Sequence, residues 1–171
     1  DFRRRENGNS VYLGWEAMRA ENAARVAGGR PGTEHKGVIY GDYLREVSSG
    51  GAVVWEWHAQ DDMAIEAYPL NPVVDRAEFA HANACRPLDN GDVMVSFRRI
   101  STIAIIDRNT RKVRWEHRDD SWGMQHDCEM LENGHILLFA NGLNTGGNPF
   151  SRVIELYPVT ATTKWEYRGN P

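Results

Sequence analysis

Asp89-Asn90-Gly91-Asp92-Val93-Met94-Val95-Ser96 is the stretch from which the fold of this chain can be predicted. An acidic residue, Asn and Gly lead directly into a hydrophobic run. Asn-Gly suits the positive φ angles of a type I′ turn, so the stretch predicts a tight hairpin that leads into a strand. The same pattern occurs at Glu6-Asn7-Gly8-Asn9-Ser10-Val11-Tyr12-Leu13 and at Glu132-Asn133-Gly134-His135-Ile136-Leu137-Leu138-Phe139.

A second pattern follows each of these turns. After a β-rich run comes a segment with the dipeptide Trp-Glu, which begins at Trp55, Trp115 and Trp165. Each of the three units is thus predicted to form four antiparallel strands, as in one blade of a propeller. Asn90 and Asn133 are 43 positions apart, close to the roughly 40 to 50 residues of propeller repeats. A β-sandwich also uses many short strands, but it has no reason to repeat the Trp-Glu strand.

We therefore expect residues 1–171 to form a single all-β domain, a partial β-propeller with about three four-stranded blades of six. The expected blades span residues 1–62, 79–120 and 121–171. The first two turns are 83 positions apart, which predicts insertions at residues 17–36 and 63–78, placed as mobile or functional loops at the mouth of the propeller. Three blades leave apolar faces uncovered, so the remaining blades of the same protein or a second copy are alternative partners.

Composition narrows the classes of function. Of the 171 residues, 41% are hydrophobic and 26% are charged, which is typical of a globular protein. The net charge of −4 and a pI near 5.9 favour neither nucleic acid nor anionic lipid as a partner. No stretch is long and apolar enough for a membrane span. Two cysteines, without CxxC spacing, predict neither a disulfide scaffold nor a metal site.

Polar residues occupy the predicted inner strands, where a core would carry Val. Asn83 and His126 both lie seven positions before the Asn of their turns, and Cys85 and Cys128 both lie five positions before it. His81, Asn83 and Cys85 alternate, so they are predicted to share one face of a strand. Inner strands line the central channel of a propeller, and these side chains could therefore converge on one pocket. The two cysteines are expected to be free, buried thiols.

Three elements in this region, His81-Ala82-Asn83, Ser96-Phe97-Arg98-Arg99-Ile100-Ser101 and Gln125-His126-Asp127, occur in an order that resembles the bacterial arylsulfate sulfotransferase family. The resemblance extends over essentially the whole chain. It implies a six-bladed propeller that transfers a sulfuryl group from a phenolic sulfate ester to a phenol through a sulfohistidine. It implies no 3′-phosphoadenosine 5′-phosphosulfate, no other cofactor and no metal, and a periplasmic or secreted location.

The resemblance also implies a role for individual residues. His126 matches the nucleophile, His81 the partner histidine that moves the phenolic proton, and Asn83 the amide beside it. Arg98 matches the arginine that grips sulfuryl oxygens, and Arg99 takes that role if the register differs by one. The residue types suit the chemistry, because Arg presents a planar fork to such oxygens and imidazole serves both as nucleophile and as acid or base.

Other interpretations stay open at this point. A propeller that binds a ligand or a protein through its mouth loops without catalysis is the main alternative, and transfer or hydrolysis of another anionic group is a third. Arg98 and Arg99 are expected to point to opposite faces of a strand, so only one can reach the channel. Asp127 is expected to be structural, as an acceptor of a backbone hydrogen bond. The tryptophans are expected to pack between blades, the remaining histidines to lie at the surface, and His35 to lie in a flexible insertion.

Overall fold

The computed structural model describes residues 1–143, 145 and 150–169, and this part of the chain forms three antiparallel sheets of four strands each. Within every sheet the strands follow chain order. The expectation of an all-β chain with four-stranded antiparallel units is thereby confirmed. Sheet 1 contains β1 (Phe2–Arg4), β2 (Ser10–Ala17), β3 (Tyr40–Val47) and β4 (Val53–His58). Sheet 2 contains β5 (Ala82–Pro87), β6 (Val93–Phe97), β7 (Thr102–Ile106) and β8 (Val113–Arg118). Sheet 3 contains β9 (His126–Met130), β10 (Ile136–Ala140), β11 (Arg152–Tyr157) and β12 (Thr162–Arg168).

Short helices connect some of the strands. They are α1 (Ala20–Ala23), α2 (Ala59–Asp62) and the 3₁₀ helices Ile65–Ala67, Arg98–Ile100 and Asp120–Trp122. None of the helices in the described ranges has the length and apolar character needed to cross a membrane.

The three Asn-Gly turns are hairpins with one common geometry, but the predicted type I′ turn is wrong. Only the glycine has a positive φ, which is 94° at Gly91. Its N–H donates to the carbonyl of Leu88 at 2.9 Å, so a type I turn precedes a glycine in the left-handed region. The side-chain oxygen of Asn90 accepts from the N–H of Asp92 at 3.1 Å. This local bond favours the type I form, and the side-chain oxygens of Asn7 and Asn133 likewise accept from the N–H groups of Asn9 and His135.

Tryptophans on the outer strands connect one sheet to the next. Trp55 of β4 donates its Nε1–H to the carbonyl of Arg108 at 2.9 Å. Trp115 of β8 donates in the same way to the carbonyl of Pro158 at 3.0 Å. Both acceptors lie just after the third strand of the following sheet, as expected for tryptophans that pack between sheets. Trp165 of β12 is half exposed and stacks on Tyr167.

The two insertions, which were predicted to be mobile or functional loops, pack against each other. Gly28 and Leu70 form a parallel bridge, and the N–H of Leu70 donates to the carbonyl of Ala27 at 2.9 Å. The guanidinium of Arg76 spans the insertions, because it donates to the carbonyls of Gly28 and Val26. A side chain at Gly28 would meet the Leu70 carbonyl at 2.2 Å, so glycine is required at this contact.

The apolar core lies between the sheets in two clusters. The larger one joins sheets 1 and 2 with the packed insertions and includes Trp57, Phe79 and Phe97. The smaller one lies between sheets 2 and 3 and includes Trp122 and Ile136. Apolar side chains of neighbouring sheets pack together in these clusters. Strands β5 and β9, the first strands of sheets 2 and 3, thereby lie in contact.

Candidate functional site

His81 lies just before β5. Backbone hydrogen bonds between the two chain segments continue here beyond the paired residues of β5 and β6. The N–H of Arg98 donates to the carbonyl of His81 at 3.0 Å, and the N–H of Arg99 donates to the carbonyl of Ala80 at 2.9 Å. Ala80 and His81 have φ angles of 65° and 55°, a conformation that is costly for residues with a side chain. The surrounding contacts therefore hold His81 next to Arg98 at some cost in backbone free energy.

The predicted alternation of His81, Asn83 and Cys85 on one strand face is wrong. His81 is in the left-handed region, and the register shifts between Ala82 and Ala84, so Asn83 is the extra residue of a β-bulge. Cys85 is buried in the core, whereas His81 and Asn83 are half-buried. Period-two reasoning fails here because a bulge re-aims every residue that precedes it.

Asn83 connects the two histidine segments. Its Nδ2 atom donates to the carbonyl of Gln125 at 2.8 Å, directly before His126. Gln125 is fully buried, and its Nε2 atom reaches the hydroxyl of Ser96 and the carbonyls of Phe97 and Thr102. These bonds lock the start of β9 against the end of β6. His81 and His126 thus lie at the same end of two neighbouring sheets.

His126 begins β9 and has a defined hydrogen-bond partner. Its Nδ1 atom lies 2.6 Å from the Oδ1 atom of Asn141. An amide oxygen only accepts hydrogen bonds, so Nδ1 donates to Asn141, and in the neutral ring Nε2 then carries the lone pair. Asn141 is a residue whose role the sequence analysis missed, although Ala140-Asn141-Gly142 directly follows the third hydrophobic run.

Asp127 takes the bulge position of sheet 3, with a φ of 49° and a register shift in its pairing with β10. Its carboxylate forms an ion pair with the guanidinium of Arg86. The expectation of a backbone hydrogen bond is therefore wrong, because the acceptor is used by a side chain. Asp127 is exposed and points away from the core.

Arg98 and Arg99 lie on the 3₁₀ helix Arg98–Ile100, so the expectation that they occupy a strand is wrong. Arg99 is paired: its Nη1 atom donates to the carboxylate and the carbonyl of Asp75 at 2.7 and 2.8 Å. The Nε atoms of Arg98 and Arg99 are both buried without a partner among the described residues, but the ion pairs to Asp75 and Glu78 are formed by Arg99. Burial, followed by the charge of Arg99, lowers the pKa of Arg98. The structure therefore distinguishes two cations that the sequence left equivalent.

Glu78 is the second functional candidate that the sequence analysis missed. Its Oε2 atom contacts Nδ1 of His81 and lies 3.4 Å from Nη2 of Arg99. Burial alone would raise the pKa of Glu78, but the hydrogen bond from His81 and the nearby positive charges lower it. A carboxylate at Nδ1 leaves Nε2 of His81 as the nitrogen that can exchange a proton with a substrate. The spacing of three residues was a signal, but it depends on the unusual backbone at Ala80.

Asp42 supports the same segment from β3. The N–H of Ala82 donates to its Oδ1 atom at 2.9 Å. Asp42 is fully buried, and burial raises its pKa to about 8. At neutral pH this carboxyl group is therefore mostly protonated, and it anchors the backbone that follows His81.

The cysteines and the acidic side chains are also possible ligands of a metal ion. Within residues 1–143, 145 and 150–169, no group of three or more His, Cys, Asp and Glu side chains could hold a metal ion. Cys85 and Cys128 are free and buried, as predicted. Burial raises the pKa of the Cys128 thiol to about 12, so it is not a nucleophile at neutral pH.

The described part of the chain forms an all-β protein of three four-stranded sheets, in which the backbone of Arg98 bonds to His81 and Asn83 bonds to the residue before His126. The chain belongs to the arylsulfotransferase (ASST) family, whose model matches residues 19–168. It is also similar to a solved structure, a protein of unknown function from Bacteroides caccae, with 12% identity and a TM-score of 0.54. That match covers 97% of this chain and 44% of the other, so this chain spans less than half the length of that structure. No curated protein matches the chain.

Proposed function

We propose that the protein containing this chain transfers a sulfuryl group from a phenolic sulfate ester to a phenol through a sulfohistidine on His126. In this proposal the three sheets are consecutive blades of a six-bladed propeller, and the site lies at its axial pocket. The observation that carries the proposal is the orientation of His126. Nδ1 of His126 is bonded to Asn141, and Nε2 has no hydrogen-bond partner among the described residues, which supports a role as nucleophile.

In the first half-reaction, Nε2 of His126 attacks the sulfur atom of the aryl sulfate. The N–S bond forms while the bond between sulfur and the aryl oxygen breaks, and that electron pair leaves on the phenolate oxygen. The protonated Nε2 of His81 supplies a proton to this oxygen. Asn141 accepts the Nδ1–H of His126 and so stabilises the positive charge that the ring acquires.

In the second half-reaction, the oxygen of an acceptor phenol attacks the sulfur atom of the sulfohistidine. Nε2 of His81 takes the phenolic proton, the N–S bond breaks, and its electron pair returns to His126. Both histidines thereby return to their starting protonation states. The carboxylate of Glu78 contacts Nδ1 of His81 and so leaves Nε2 as the nitrogen that exchanges the proton.

Arg98 is proposed as the cation that grips the sulfuryl oxygens. Sulfuryl transfer, like phosphoryl transfer, spreads charge over peripheral oxygens, so positioned positive groups stabilise its transition state. Arg99 is already neutralised by Asp75 and Glu78. The guanidinium of Arg98 is the one without an acceptor among the described residues, and it is therefore the better candidate.

The test is turnover of 4-nitrophenyl sulfate by the intact protein, with and without phenol. We expect phenol to accelerate the release of 4-nitrophenol, and His126→Ala to reduce the rate by about a thousandfold or more. Mass spectrometry of the donor-treated protein should find an acid-labile sulfuryl adduct on His126. His135→Asn is the matched control, because His135 is a half-buried histidine of the β9–β10 hairpin, paired with Glu155. Full activity of His126→Ala would overturn the assignment of His126 as the nucleophile, whereas no turnover by the unaltered protein would favour the non-catalytic propeller.

A further inference from the structure

We propose that a small cavity beside His81 binds the aromatic ring of the phenolic substrate. The cavity has a volume of about 230 Å³ and is lined by Trp15, His35, Tyr40, Ala77 and Glu78. The proposal rests on the proposed function for the identity of the ligand, but the pocket itself is defined by residues outside the predicted catalytic set. Both insertions contribute to its wall, which explains why no single sequence stretch predicted it.

The walls of this aryl pocket are held by backbone hydrogen bonds. Tyr40 and Glu78 form a parallel bridge, in which the N–H of Tyr40 donates to the carbonyl of Ala77 at 2.9 Å. The N–H of Phe79 donates to the carbonyl of Tyr40 at 2.7 Å. Trp15 stands on β2, directly opposite the buried Asp42. Two lining residues lie on β2 and β3, and the bridge holds Glu78 against β3, so little ordering of these walls is needed on binding.

The lining suits one aromatic ring. The rings of Trp15 and His81 are 5.5 Å apart at an interplanar angle of 50°, and those of His35 and Tyr40 are 6.2 Å apart. Aromatic pairs at such separations are favourable beyond the area that they bury. Pockets for drug-sized ligands measure roughly 300–1,000 Å³, so this smaller cavity fits a single phenyl group. Trp15 is 52% exposed, so part of its indole is accessible to a ligand.

Charge orients the ligand in this pocket. Glu78 lines the pocket and keeps its negative charge because of His81 and Arg99. An anionic sulfate group is repelled from that wall, whereas the neutral ring is not. The phenolic oxygen is thus directed toward His81 and the sulfuryl group toward Arg98. The leaving phenol and the entering phenol take the same place, because the two half-reactions are the reverse of each other in mechanism.

The experiment measures the binding of phenol to the intact protein by saturation-transfer NMR titration, which needs no turnover. We expect Trp15→Ala to weaken binding about tenfold, equivalent to about 1.4 kcal/mol, and Trp15→Phe to weaken it less than about threefold. Ala77→Leu, which fills the cavity, should also weaken it. Cyclohexanol should bind much more weakly than phenol. Trp165→Ala is the matched control, because Trp165 is 50% exposed and lies on β12, and it should bind phenol as the unaltered protein does.

The outcomes separate this inference from the proposed function. Equal phenol binding by Trp15→Ala and Trp165→Ala would overturn the aryl pocket even if sulfuryl transfer is observed. Phenol binding that depends on Trp15, in a protein without transfer activity, would support the pocket and contradict the reaction. In an active protein, Trp15→Ala should raise the KM values for donor and acceptor together. A rise for only one of them would overturn the shared site.

Discussion

The Nδ1 atom of His81 contacts the Oε2 atom of Glu78, and the same oxygen lies 3.4 Å from the guanidinium of Arg99. One carboxylate thus orients an imidazole and neutralises a cation. The neighbouring Arg98 is left with its positive charge unpaired among the described residues. This arrangement assigns separate tasks to residues that the sequence presents as near-equivalent, and each assignment can be tested.

Glu78→Gln keeps the shape of the side chain but removes the carboxylate that contacts Nδ1 of His81 while this ring transfers a proton through Nε2. The rate should then fall most for donors whose phenolate needs a proton in order to leave. We expect kcat/KM to fall about tenfold or more with phenyl sulfate, and less than about threefold with 4-nitrophenyl sulfate, whose leaving group is stable as an anion. Glu78→Asp should restore part of the loss. Glu132→Gln, at an exposed turn, is the control. Equal losses for both donors would contradict a role in proton transfer.

The two arginines should differ in what their substitution affects. Arg98→Gln should lower kcat/KM for the donor by about a hundredfold, because it removes a positive charge from the transition state. Its effect on thermal stability should be small. Arg99→Gln should instead lower the free energy of unfolding by about 1–3 kcal/mol, because Asp75 and Glu78 lose a buried partner. Kinetics and denaturant titrations on both variants check this. The reverse pattern would assign the sulfuryl contact to Arg99.

Asp42→Asn should change how stability depends on pH. Burial raises the pKa of Asp42 from 3.8 to about 8, so between these values the folded protein holds a proton that the unfolded chain releases. Stability from this group is therefore present at low pH and is lost as pH rises through that window, by at most about 1.4 kcal/mol per pH unit.

Guanidinium unfolding at pH 5 and pH 8 measures this effect. The free energy of unfolding of the unaltered protein, relative to that of Asp42→Asn, should be lower at pH 8 than at pH 5. Asp61→Asn, at the exposed end of α2, serves as the control for a general change in charge. A difference that stays constant between the two pH values would show that Asp42 is ionised in the folded protein.

Local patterns predicted the strands well. The hydrophobic runs after Gly91 and Gly134 became β6 and β10, and the segments with Trp115 and Trp165 became outer strands. Such patterns succeed because alternation and turn residues act over a few neighbouring positions. The turn type was predicted wrongly because the side-chain oxygen of Asn90 accepts a hydrogen bond within its own turn. This bond favours type I over type I′.

Contacts between distant segments were predicted less well. The insertions are ordered by bonds such as that of Leu70 to Ala27 and that of Arg76 to Val26, and nothing near Leu70 in sequence indicates its partner. The strand expected at Arg98 and Arg99 ends instead in a 3₁₀ helix, because the backbone there bonds to Ala80 and His81.

By itself, the sequence determined an all-β chain and three turn-and-strand units, and it indicated the histidines and arginines that are proposed for sulfuryl transfer. Only the tertiary structure decided which atoms are free to act. In the folded chain, Nδ1 of His126 is bonded to Asn141 and Arg99 is ion-paired with Asp75. Arg98 has no ion-pair partner among the described residues. The physical reason is that residue type sets what a group can donate or accept, whereas its partner and its burial are set by segments that fold against it from elsewhere in the chain.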